Sequence, residues 1–376
     1  MAAAPKTKRS ADKAEREQVA LKSLQAIATQ VYTHLSKAVI PEVQLPSRNK
    51  GNIVFDEKHR VWKYGAEMTT RSAKSVDGAY MLLRTMYLSD FIKEMIDQNK
   101  SSTLREMYYI SEGWDLAKFH SQDESDLLGE DLEVMTTSMR EDFKLRPEEN
   151  GAAIVGDLKV VETIRNNQKR TLHCQDDVGE TGYHIPYNVE PDRLAFKDVK
   201  ADFVVAIETG GMFARLVENE FDTKNNCALV HLKGQPARCT RRLIKRLNEE
   251  HDLPVVVFTD GDPWSFRIFA SVAYGAIKTA HISEYLATPT AQFMGITPSD
   301  IVNYDLPTDK LSEQDVDALK AELVDPRFDD DWWRGEINLQ LEMNKKSEQQ
   351  ALAKYGLNFV TDTYLPEKLT EMGILK

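Results

Sequence analysis

Carboxylates follow two of the most apolar runs in the sequence. Glu208 comes directly after the run Phe203–Ile207, and Asp260-Gly261-Asp262 comes directly after the run 254–259. An apolar run rich in β-branched residues is typical of a central strand in a parallel sheet, and ligands bind outside the carboxyl ends of such strands. The pattern therefore predicts three carboxylates at one sheet edge, where a hard divalent cation, most naturally Mg²⁺, would offset their repulsion. The alternative is a set of surface acids at helix starts.

A second set of candidate reactive side chains lies in the segment 103–109. Its opening Thr-x-x-Glu pattern is a capping box, which predicts that a helix starts there. On that helix Arg105 and Tyr109 are four residues apart and share a face, whereas Tyr108 is turned by about 100°. A phenol has a pKa of about 10, so a guanidinium on the same face would favour the phenolate and could also hold a phosphate oxygen. The alternative is that both tyrosines are packing residues.

Basic residues are concentrated between the two acid-tipped strands. They are Lys233, Arg238, Arg241, Arg242, Lys245 and Arg246. On a predicted helix over 240–250 they would face either solvent, which is the more common case, or a phosphate backbone. The net charge of −12 argues mildly against a protein coated by nucleic acid. Any DNA-binding surface is therefore expected to be a confined basic strip.

The first part of the chain is predicted to be helical. After about fifteen residues expected to be disordered, apolar residues recur at helical spacing up to Pro41. They are Val19, Leu24, Ile27, Val31 and Leu35. This helix could pack on its own domain or dock on a partner, and the sequence favours neither. A second apolar stripe is interpreted as core, and it consists of Val76, Tyr80, Leu83, Tyr87, Phe91 and Met95.

The runs 143–146 and 152–155 are predicted to form a two-stranded ribbon. They flank Asn150-Gly151, which is a strong hairpin signal. Helices followed by such a ribbon are the order of a winged-helix domain, which places a helix in the major groove and the wing on the DNA backbone. From about residue 152 onward, short β-rich runs alternate with helices, which indicates an α/β domain with a parallel sheet.

The composition is typical of a soluble intracellular protein of two or three domains. The 376 residues are 41% hydrophobic, and no apolar run approaches the roughly 20 residues of a membrane span. The basic N-terminus is not followed by a signal-peptide core. Three cysteines lack metal-ligand spacing and are expected to be buried thiols. The acidic run Asp329-Asp330-Asp331 is interpreted as a helix cap and not as a second metal site.

The order of these motifs resembles the type IIB topoisomerase A-subunit family, which includes the A subunit of topoisomerase VI and the meiotic double-strand-break transesterases. The resemblance rests on the Tyr108-Tyr109 helix, on Val205-Ala206-Ile207-Glu208 and on Thr259-Asp260-Gly261-Asp262-Pro263-Trp264. It extends to Gly182-Tyr183-His184-Ile185-Pro186, to Lys233-Gly234-Gln235-Pro236 with Arg241, and to a helix expected at Lys345-Lys346-Ser347-Glu348. It covers nearly all of the chain from about Ile40 onward.

The resemblance implies an α/β multidomain protein. An N-terminal arm over 1–66 would contact a B subunit. A winged-helix (CAP-like) domain over 67–151 would carry the nucleophile. A Toprim domain, with a Rossmann-like parallel sheet, would occupy 152–376, bind the metal and end in a helical extension.

The resemblance also implies the roles of individual residues. The second residue of the aromatic pair, Tyr109, is the expected nucleophile, with Arg105 beside the phosphate. Mg²⁺ is expected on Glu208, Asp260 and Asp262. The residues expected to contact DNA are Arg71, Lys233, Arg241 and Arg242.

The implied reaction is transient cleavage of both strands of duplex DNA through 5′-phosphotyrosyl links. Two tyrosines require a homodimer, and the family pairs the tyrosine of one protomer with the metal of the other. The sequence contains no Gly-x-x-x-x-Gly-Lys-Ser/Thr loop, so strand passage, relaxation and decatenation would need a GHKL-type ATPase B subunit in an A2B2 heterotetramer. An archaeal, nucleoid-associated cytoplasmic protein is expected.

Three alternatives stay open at this point. The first is a break-forming relative without efficient religation. The second is a Toprim nuclease or primase that uses metal but no covalent tyrosine. The third is a non-enzymatic winged-helix DNA-binding protein, which would have no use for a cluster of carboxylates facing DNA phosphate.

Overall fold

The computed structural model describes residues 12–147 and 151–375. These residues form two compact units. The first unit contains residues 12–54, 64–147 and 190–192, and the second contains residues 55–63, 151–189 and 193–375. The segment 55–63 therefore belongs to the second unit, although the residues on both sides of it in the sequence belong to the first.

The described residues up to 147 form four α-helices and six short strands. In chain order they are α1 (Lys13–Ser36), β1 (Glu42–Pro46), β2 (Ile53–Asp56), β3 (Val61–Tyr64), β4 (Met68–Ser72), α2 (Val76–Asp97), β5 (Ser102–Thr103), α3 (Leu104–Ser111), α4 (Gln122–Thr136) and β6 (Leu145–Arg146). Strand β1 pairs with β4, and β2 pairs with β3. Apolar side chains from α1, α2, α3 and α4 share one core in the first unit.

The predicted amphipathic N-terminal helix is confirmed as α1. Its first main-chain N–H groups donate to the carboxylate of Asp12, which caps the helix. The expected disorder is wrong for residues 13–15, which are helical, and residues 1–11 lie outside the described residues. Ala20 and Leu24 are buried in the core of the first unit, whereas Tyr32 and Leu35 are exposed.

The apolar stripe predicted as the core face of α2 is correct towards the end of the helix and wrong before it. Phe91 and Met95 pack in the core of the first unit. Val76, Leu83 and Tyr87 are exposed, and Leu88 and Ile92 are buried beside them. The two stripes lie about one residue apart, which is a rotation of about 100° around the helix. The predicted stripe holds more aromatic residues, but composition alone does not show which of two adjacent stripes faces inward.

The predicted two-stranded ribbon is also wrong. Strand β6 pairs in parallel with β5 and not with the run 152–155. That run contains the strand Ala153–Val155, which pairs with Cys227–His231 and with Tyr183–His184. All three residues of Ala153–Val155 are buried, as in an inner strand of a sheet, whereas a wing would leave one face in solvent.

Residues 151–375 contain the remaining eleven strands and nine α-helices of the described chain. In chain order they are β7 (Ala153–Val155), β8 (Lys159–Thr163), β9 (Lys169–His173), β10 (Tyr183–His184), β11 (Leu194–Lys197), β12 (Phe203–Ile207), α5 (Gly210–Glu218), α6 (Phe221–Asn225), β13 (Cys227–His231), α7 (Arg238–His251), β14 (Val255–Phe258), α8 (Pro263–Tyr274), α9 (Ser283–Leu286), β15 (Gln292–Gly295), α10 (Pro298–Asn303), β16 (Asp309–Lys310), α11 (Glu313–Glu322), α12 (Asp331–Met343), β17 (Lys345–Lys346) and α13 (Leu365–Glu371).

A six-stranded mixed sheet organises the second unit. Its strand order is β10-β7-β13-β12-β14-β15, and β13, β12, β14 and β15 run parallel. The parallel centre confirms the α/β prediction, and the two acid-tipped runs are neighbouring strands, β12 and β14. Both faces of the sheet are covered by apolar cores. A separate antiparallel sheet has the order β11-β8-β9.

Two predictions near the C-terminal end have different outcomes. Asp330 accepts a hydrogen bond from the main-chain N–H of Trp333 at 2.8 Å and caps α12, which confirms the helix-cap interpretation. The expected helix at 345–348 is wrong, because α12 ends at Met343 and the next residue, Asn344, has a left-handed conformation with φ 53°. The chain then forms β17, which pairs with β16.

Candidate active site on helix α3 and at the carboxyl edge of the central sheet

The capping box predicted at the start of α3 is confirmed. The main-chain N–H of Glu106 donates to Thr103 Oγ1 at 3.0 Å, and the main-chain N–H of Thr103 donates to Glu106 Oε2 at 3.3 Å. Both ends of the box are therefore satisfied, and this fixes where the first turn of the helix begins. The helical position of every later residue in α3 follows from that start.

The two tyrosines of α3 lie in different environments. Tyr109 is 58% exposed, whereas Tyr108 is half-buried and packs against the core of the first unit. Arg105 and Tyr109 line the same surface cavity together with Ile110. Arg105 and Tyr109 share a face of α3, as expected, and Arg105 also lines a second cavity with both tyrosines. Tyr109 is the more exposed of the two phenols.

Glu208 and Asp260 extend neighbouring strands of the central sheet. Ile207 is paired with Phe258, and the main-chain N–H of Glu208 donates to the carbonyl oxygen of Phe258 at 3.0 Å. The main-chain N–H of Asp260 then donates to Glu208 Oε2 at 3.1 Å. The two carboxylates predicted to meet at one sheet edge do meet there.

The third carboxylate, Asp262, caps helix α8. Its Oδ1 accepts a hydrogen bond of 2.7 Å from the main-chain N–H of Ser265, and Pro263 fills the first helical position. The hydroxyl of Ser265 donates to Glu208 Oε2 at 2.7 Å. One serine therefore fixes an oxygen of two of the three predicted ligands.

The acids at this edge disfavour one another's charge. Burial raises the pKa of Asp260 to about 7, the main-chain N–H of Gln349 opposes that shift, and the charges of Glu208, Asp262 and Glu348 add to it. Burial also raises the pKa of Glu208, against the hydrogen bonds from Ser265 and Asp260. A cation at this edge would relieve both effects.

The donor chemistry of this edge suits a hard divalent cation, because all three predicted ligands are carboxylates. Across residues 12–147 and 151–375, however, no group of three or more His, Cys, Asp or Glu side chains is arranged so that it could hold a metal ion. Ser265 occupies one oxygen of Glu208 and one of Asp262. The residues fit a divalent metal in their type, and the ligand set is not preassembled.

A segment far along the sequence closes over the Asp-Gly-Asp turn. Ser347 pairs in an antiparallel bridge with Gly261, and the main-chain N–H of Gln349 donates to Asp260 Oδ1 at 2.8 Å. The side-chain amide of Gln340 donates to the carbonyl oxygen of Gly261 at 2.8 Å. The family resemblance included residues 345–348 but did not predict that this segment contacts the acids.

His231 is another side chain at this edge, and the sequence did not single it out. It ends β13 and is paired with Ile207, the residue before Glu208. Its ring stacks on Phe213 with centroids 5.4 Å apart, and burial, together with the charge of Lys233, lowers its pKa. The signal in the sequence is a histidine at the end of a short apolar run that precedes the basic residues.

Three family models match the chain. The model described as "Type IIB DNA topoisomerase" matches residues 80–145, and the one described as "All-beta domain in DNA topoisomerase VI alpha subunit" matches residues 148–200. The third model describes the Toprim domain of Spo11 and of the topoisomerase 6 A subunit, and it matches residues 203–369.

Curated relatives match over nearly the full length. The A subunit of type 2 DNA topoisomerase 6 from Archaeoglobus fulgidus is 60% identical over 361 residues, which cover 96% of this chain and 99% of that protein. The proteins of the same name from Natronomonas pharaonis and Methanosarcina barkeri are 57% and 56% identical, with 96% of this chain and 97% and 98% of those proteins covered.

This chain belongs to the family of topoisomerase VI A subunits.

The candidate site residues fall within two different family models. Arg105 and Tyr109 fall within the match of the type IIB model, and Glu208, Asp260 and Asp262 fall within the Toprim match. The all-β match covers residues that the sequence-based prediction grouped with the Toprim domain. No helix among the described residues is long and apolar enough to cross a membrane.

Of the four predicted DNA contacts, Lys233 is the exposed one, and its contact with DNA stays a prediction. The loop that holds Lys233 follows β13, with the main-chain N–H of Gly234 donating to the carbonyl oxygen of Glu208 at 3.0 Å. Lys233 and Gly234 both have positive φ, of 62° and 70°. This tight turn keeps the lysine next to the acids.

Arg71, Arg241 and Arg242 are held by other protein groups. Arg241 is only 5% exposed and its Nη1 donates to Ser271 Oγ at 3.3 Å. The half-buried Arg242 donates to the carbonyl oxygen of Tyr285 at 3.3 Å. Arg71 forms an ion pair with the buried Asp131. None of these three guanidinium groups is presented as an open phosphate contact.

The expectation that the basic residues of α7 face solvent or a phosphate backbone is wrong for Lys245 and Arg246. Both are buried, and Lys245 donates to the carbonyl oxygen of Ala287 at 2.8 Å. Arg246 donates to the carbonyl oxygen of Leu194 at 2.7 Å and pairs with Glu250. Basic side chains of α7 therefore satisfy carbonyl groups inside the second unit, which sequence periodicity does not reveal.

Proposed function

We propose that this chain is the DNA-cleaving subunit of an ATP-dependent type IIB topoisomerase that uses Mg²⁺. The observation that carries the proposal is the placement of Arg105 and the exposed Tyr109 on one face of α3, with Tyr108 half-buried against the core of the first unit. The acid-tipped edge of the Toprim sheet adds the oxygen ligands that phosphoryl chemistry needs.

Tyr109 is the nucleophile in the proposed reaction. Its phenolic oxygen bonds to a backbone phosphorus, the bond from phosphorus to the 3′ oxygen breaks, and the phenolic proton is lost as the 3′ oxygen gains one. The product is a 5′-phosphotyrosyl ester and a 3′-hydroxyl. Because the ester keeps the energy of the phosphodiester, the 3′-hydroxyl can reverse the step without ATP.

Arg105 has two roles beside that phenol. Its positive charge stabilises negative charge on the phenolic oxygen as that oxygen attacks phosphorus. Its planar group of N–H donors can also hold two oxygens of the phosphate under attack. Both roles need the guanidinium and the phenol on one helix face, which is where α3 places them.

Glu208, Asp260 and Asp262 are the proposed ligands of Mg²⁺. When bound, the ion would stabilise negative charge on the phosphoryl group or on the leaving oxygen. Ser265 orients Glu208 and Asp262, and the main-chain N–H of Gln349 orients Asp260. These contacts hold the acids at the edge before metal and DNA arrive.

Cleavage of both strands needs two tyrosines, so we propose a homodimer in which the tyrosine of one protomer acts with the acids of the other. A GHKL-type ATPase B subunit completes an A2B2 assembly. The exposed apolar residues Tyr32 and Leu35, three apart on α1, support docking of this helix on the ATPase, while Ala20 and Leu24 pack within the first unit.

The proposed domains are the N-terminal arm over 1–66, a winged-helix domain over 67–151 and a Toprim domain over 152–376. Because the predicted ribbon does not form, the winged-helix assignment rests on helices α2, α3 and α4 alone. It predicts that DNA protects α3 from amide hydrogen exchange more than it protects α1.

Trapping the covalent intermediate tests the proposal. The full chain with its B subunit, duplex DNA, ATP and Mg²⁺ is stopped with denaturant, and protein–DNA adducts are counted. Tyr109→Phe is expected to abolish the adduct, and Tyr108→Phe is the matched control that keeps it. Loss of the adduct in Tyr108→Phe alone would overturn the assignment, and relaxation of supercoils distinguishes a topoisomerase from a break-forming relative.

A further inference from the structure

Residues 345–349 form a segment that returns to the acid-tipped edge, and we call it the return segment. Its Ser347 pairs antiparallel with Gly261, the main-chain N–H of Gly261 donating to the carbonyl oxygen of Ser347 at 2.7 Å. In an antiparallel pair, the residues on either side of a bridge also lie opposite one another. Lys346 is therefore the cross-strand neighbour of Asp262, and the charge of Asp262 acts on its ammonium group.

The ammonium group of Lys346 is held by a buried carboxylate. Lys346 Nζ donates to Asp315 Oδ2 at 2.8 Å, Trp264 Nε1 donates to Asp315 Oδ1 at 2.9 Å, and the main-chain N–H of Ser312 donates to Oδ2 at 2.9 Å. Burial raises the pKa of Asp315, but these three donors outweigh it and lower that pKa to about 2. The Asp315 carboxylate is therefore a permanent anion in a fixed position.

The two ends of this ion pair differ in their access to solvent. The side chain of Asp315 is 2% exposed and that of Lys346 is 31% exposed. A lysine ammonium has three N–H donors, and within residues 12–147 and 151–375 Asp315 is its only hydrogen-bond partner. The pair therefore presents a positive charge at the surface, next to Asp262, with two N–H donors that the bond to Asp315 does not use.

A fixed cation at this place has a clear chemical use. Glu208, Asp260, Asp262 and Glu348 make the edge acidic, and a bound divalent metal offsets only part of that charge. DNA phosphate brings further negative charge to the same edge. We propose that Lys346 binds a non-bridging oxygen of a DNA phosphate there, with Asp315 and Trp264 as the residues that position it. This role of Lys346 rests on the function proposed above and deepens it.

The salt dependence of DNA binding tests the proposal directly. The full chain is titrated with a short duplex over a range of KCl concentrations in EDTA. Loss of one phosphate contact is expected to reduce the slope of log K against log[KCl] by about 0.9 in Lys346→Met. Lys346→Arg is expected to keep the slope. Lys345→Met is the matched control, because the adjacent exposed lysine of β17 points to the other face of the strand.

A second variant guards against a folding defect. Lys346→Met leaves the buried Asp315 without its cation, so the double variant Lys346→Met/Asp315→Asn removes both charges and keeps an acceptor for Trp264. It is expected to melt at a lower temperature than the wild type, because the asparagine amide replaces the oxygen that accepts from the main-chain N–H of Ser312. It is expected to remain folded by circular dichroism at the assay temperature and to show the same reduced slope. An unchanged slope in the double variant, or an equal loss in Lys345→Met, would overturn the proposal.

The same proteins also separate this proposal from the proposed function. If the wild-type complex forms a Tyr109-dependent adduct while the slope of Lys346→Met is unchanged, only the role of Lys346 fails. If the wild-type complex forms no adduct, the proposed function fails, whatever the slopes are. Under both proposals, Lys346→Met lowers adduct yield about tenfold and Lys345→Met leaves it unchanged.

Discussion

The main-chain N–H of Gln349 donates a hydrogen bond of 2.8 Å to Asp260 Oδ1, although the two residues are 89 positions apart in the sequence. This bond fixes one oxygen of a predicted metal ligand whose pKa burial has raised to about 7. The return segment is therefore part of the acid site and not a peripheral extension.

Removal of that single N–H is expected to impair the metal site. Gln349 begins a 3-10 helix after Glu348, whose ψ of 156° suits a residue before proline, so Gln349→Pro deletes the donor without a steric conflict. We expect Gln349→Pro to raise the Mg²⁺ concentration for half-maximal adduct formation about tenfold, since a hydrogen bond to a charged group contributes about 1.5–3 kcal/mol. Gln349→Ala keeps the N–H and controls for the lost side chain. Equal effects of the two variants would contradict a role for the N–H.

The buried Glu322 predicts a pH dependence of stability. Burial raises its pKa to about 8 from an ordinary 4.5, against the opposing effect of Arg267. Because the folded state holds this proton more tightly than the unfolded state, the free energy of unfolding should fall as pH rises from about 4.5 to about 8, by up to about 1.4 kcal/mol per pH unit. Thermal melts between pH 5 and 8 should show a smaller decline for Glu322→Gln than for the wild type.

The exposed Glu313 on the same helix is the matched control for that measurement. Glu313→Gln should decline with pH as the wild type does. If the melting temperature of Glu322→Gln fell with pH as steeply as those of the wild type and Glu313→Gln, Glu322 would not carry a proton in the folded protein.

The two faces of α1 should respond differently to substitution. Tyr32 and Leu35 are exposed, so Tyr32→Glu/Leu35→Glu is expected to abolish binding of the B subunit in a pull-down and to leave the melting temperature unchanged. Leu24 is buried in the core of the first unit, so Leu24→Ala should cost about 2–5 kcal/mol of folding free energy. Full retention of the B subunit by the double variant would exclude this face as the docking surface.

Two basic residues of the second unit should separate DNA binding from stability. Lys233 is exposed beside the acids, and Lys233→Gln is expected to reduce the salt slope of DNA binding by about one while the melting temperature stays constant. Arg241 is buried against Ser271, and Arg241→Met is expected to lower the melting temperature with no change in that slope. If Arg241→Met reduced the salt slope and Lys233→Gln did not, Arg241 would be the DNA contact and Lys233 would not.

The features that local sequence predicted well are those whose cause lies within a few residues. The capping box at Thr103, the shared face of Arg105 and Tyr109, and the acids that follow β12 and β14 all depend on short spacing. The period of a helix or a strand shows which side chains share a face, and this needs no knowledge of the rest of the fold.

The features that were missed depend on partners that are distant in the sequence. The pairing of Ser347 with Gly261 and the burial of Arg246 against the carbonyl oxygen of Leu194 cannot be inferred from either partner alone. A buried arginine and a DNA-binding arginine have the same local pattern on a helix. An arginine is buried where neighbouring loops present carbonyl groups that lack another donor, and the positions of those loops are known only from the tertiary structure.

The segment 55–63 packs in the second unit, where Phe55 contacts Trp62 and Tyr274 with ring centroids 5.3 and 6.0 Å apart. A truncation near residue 150 that isolates the later part of the chain would therefore expose the ring of Tyr274 and leave Arg60, which donates to its hydroxyl, on the discarded piece. Neither unit can be transplanted into another protein as one uninterrupted stretch of gene. Recombination in this family would have to exchange both units together, or carry the small hairpin along with the later one.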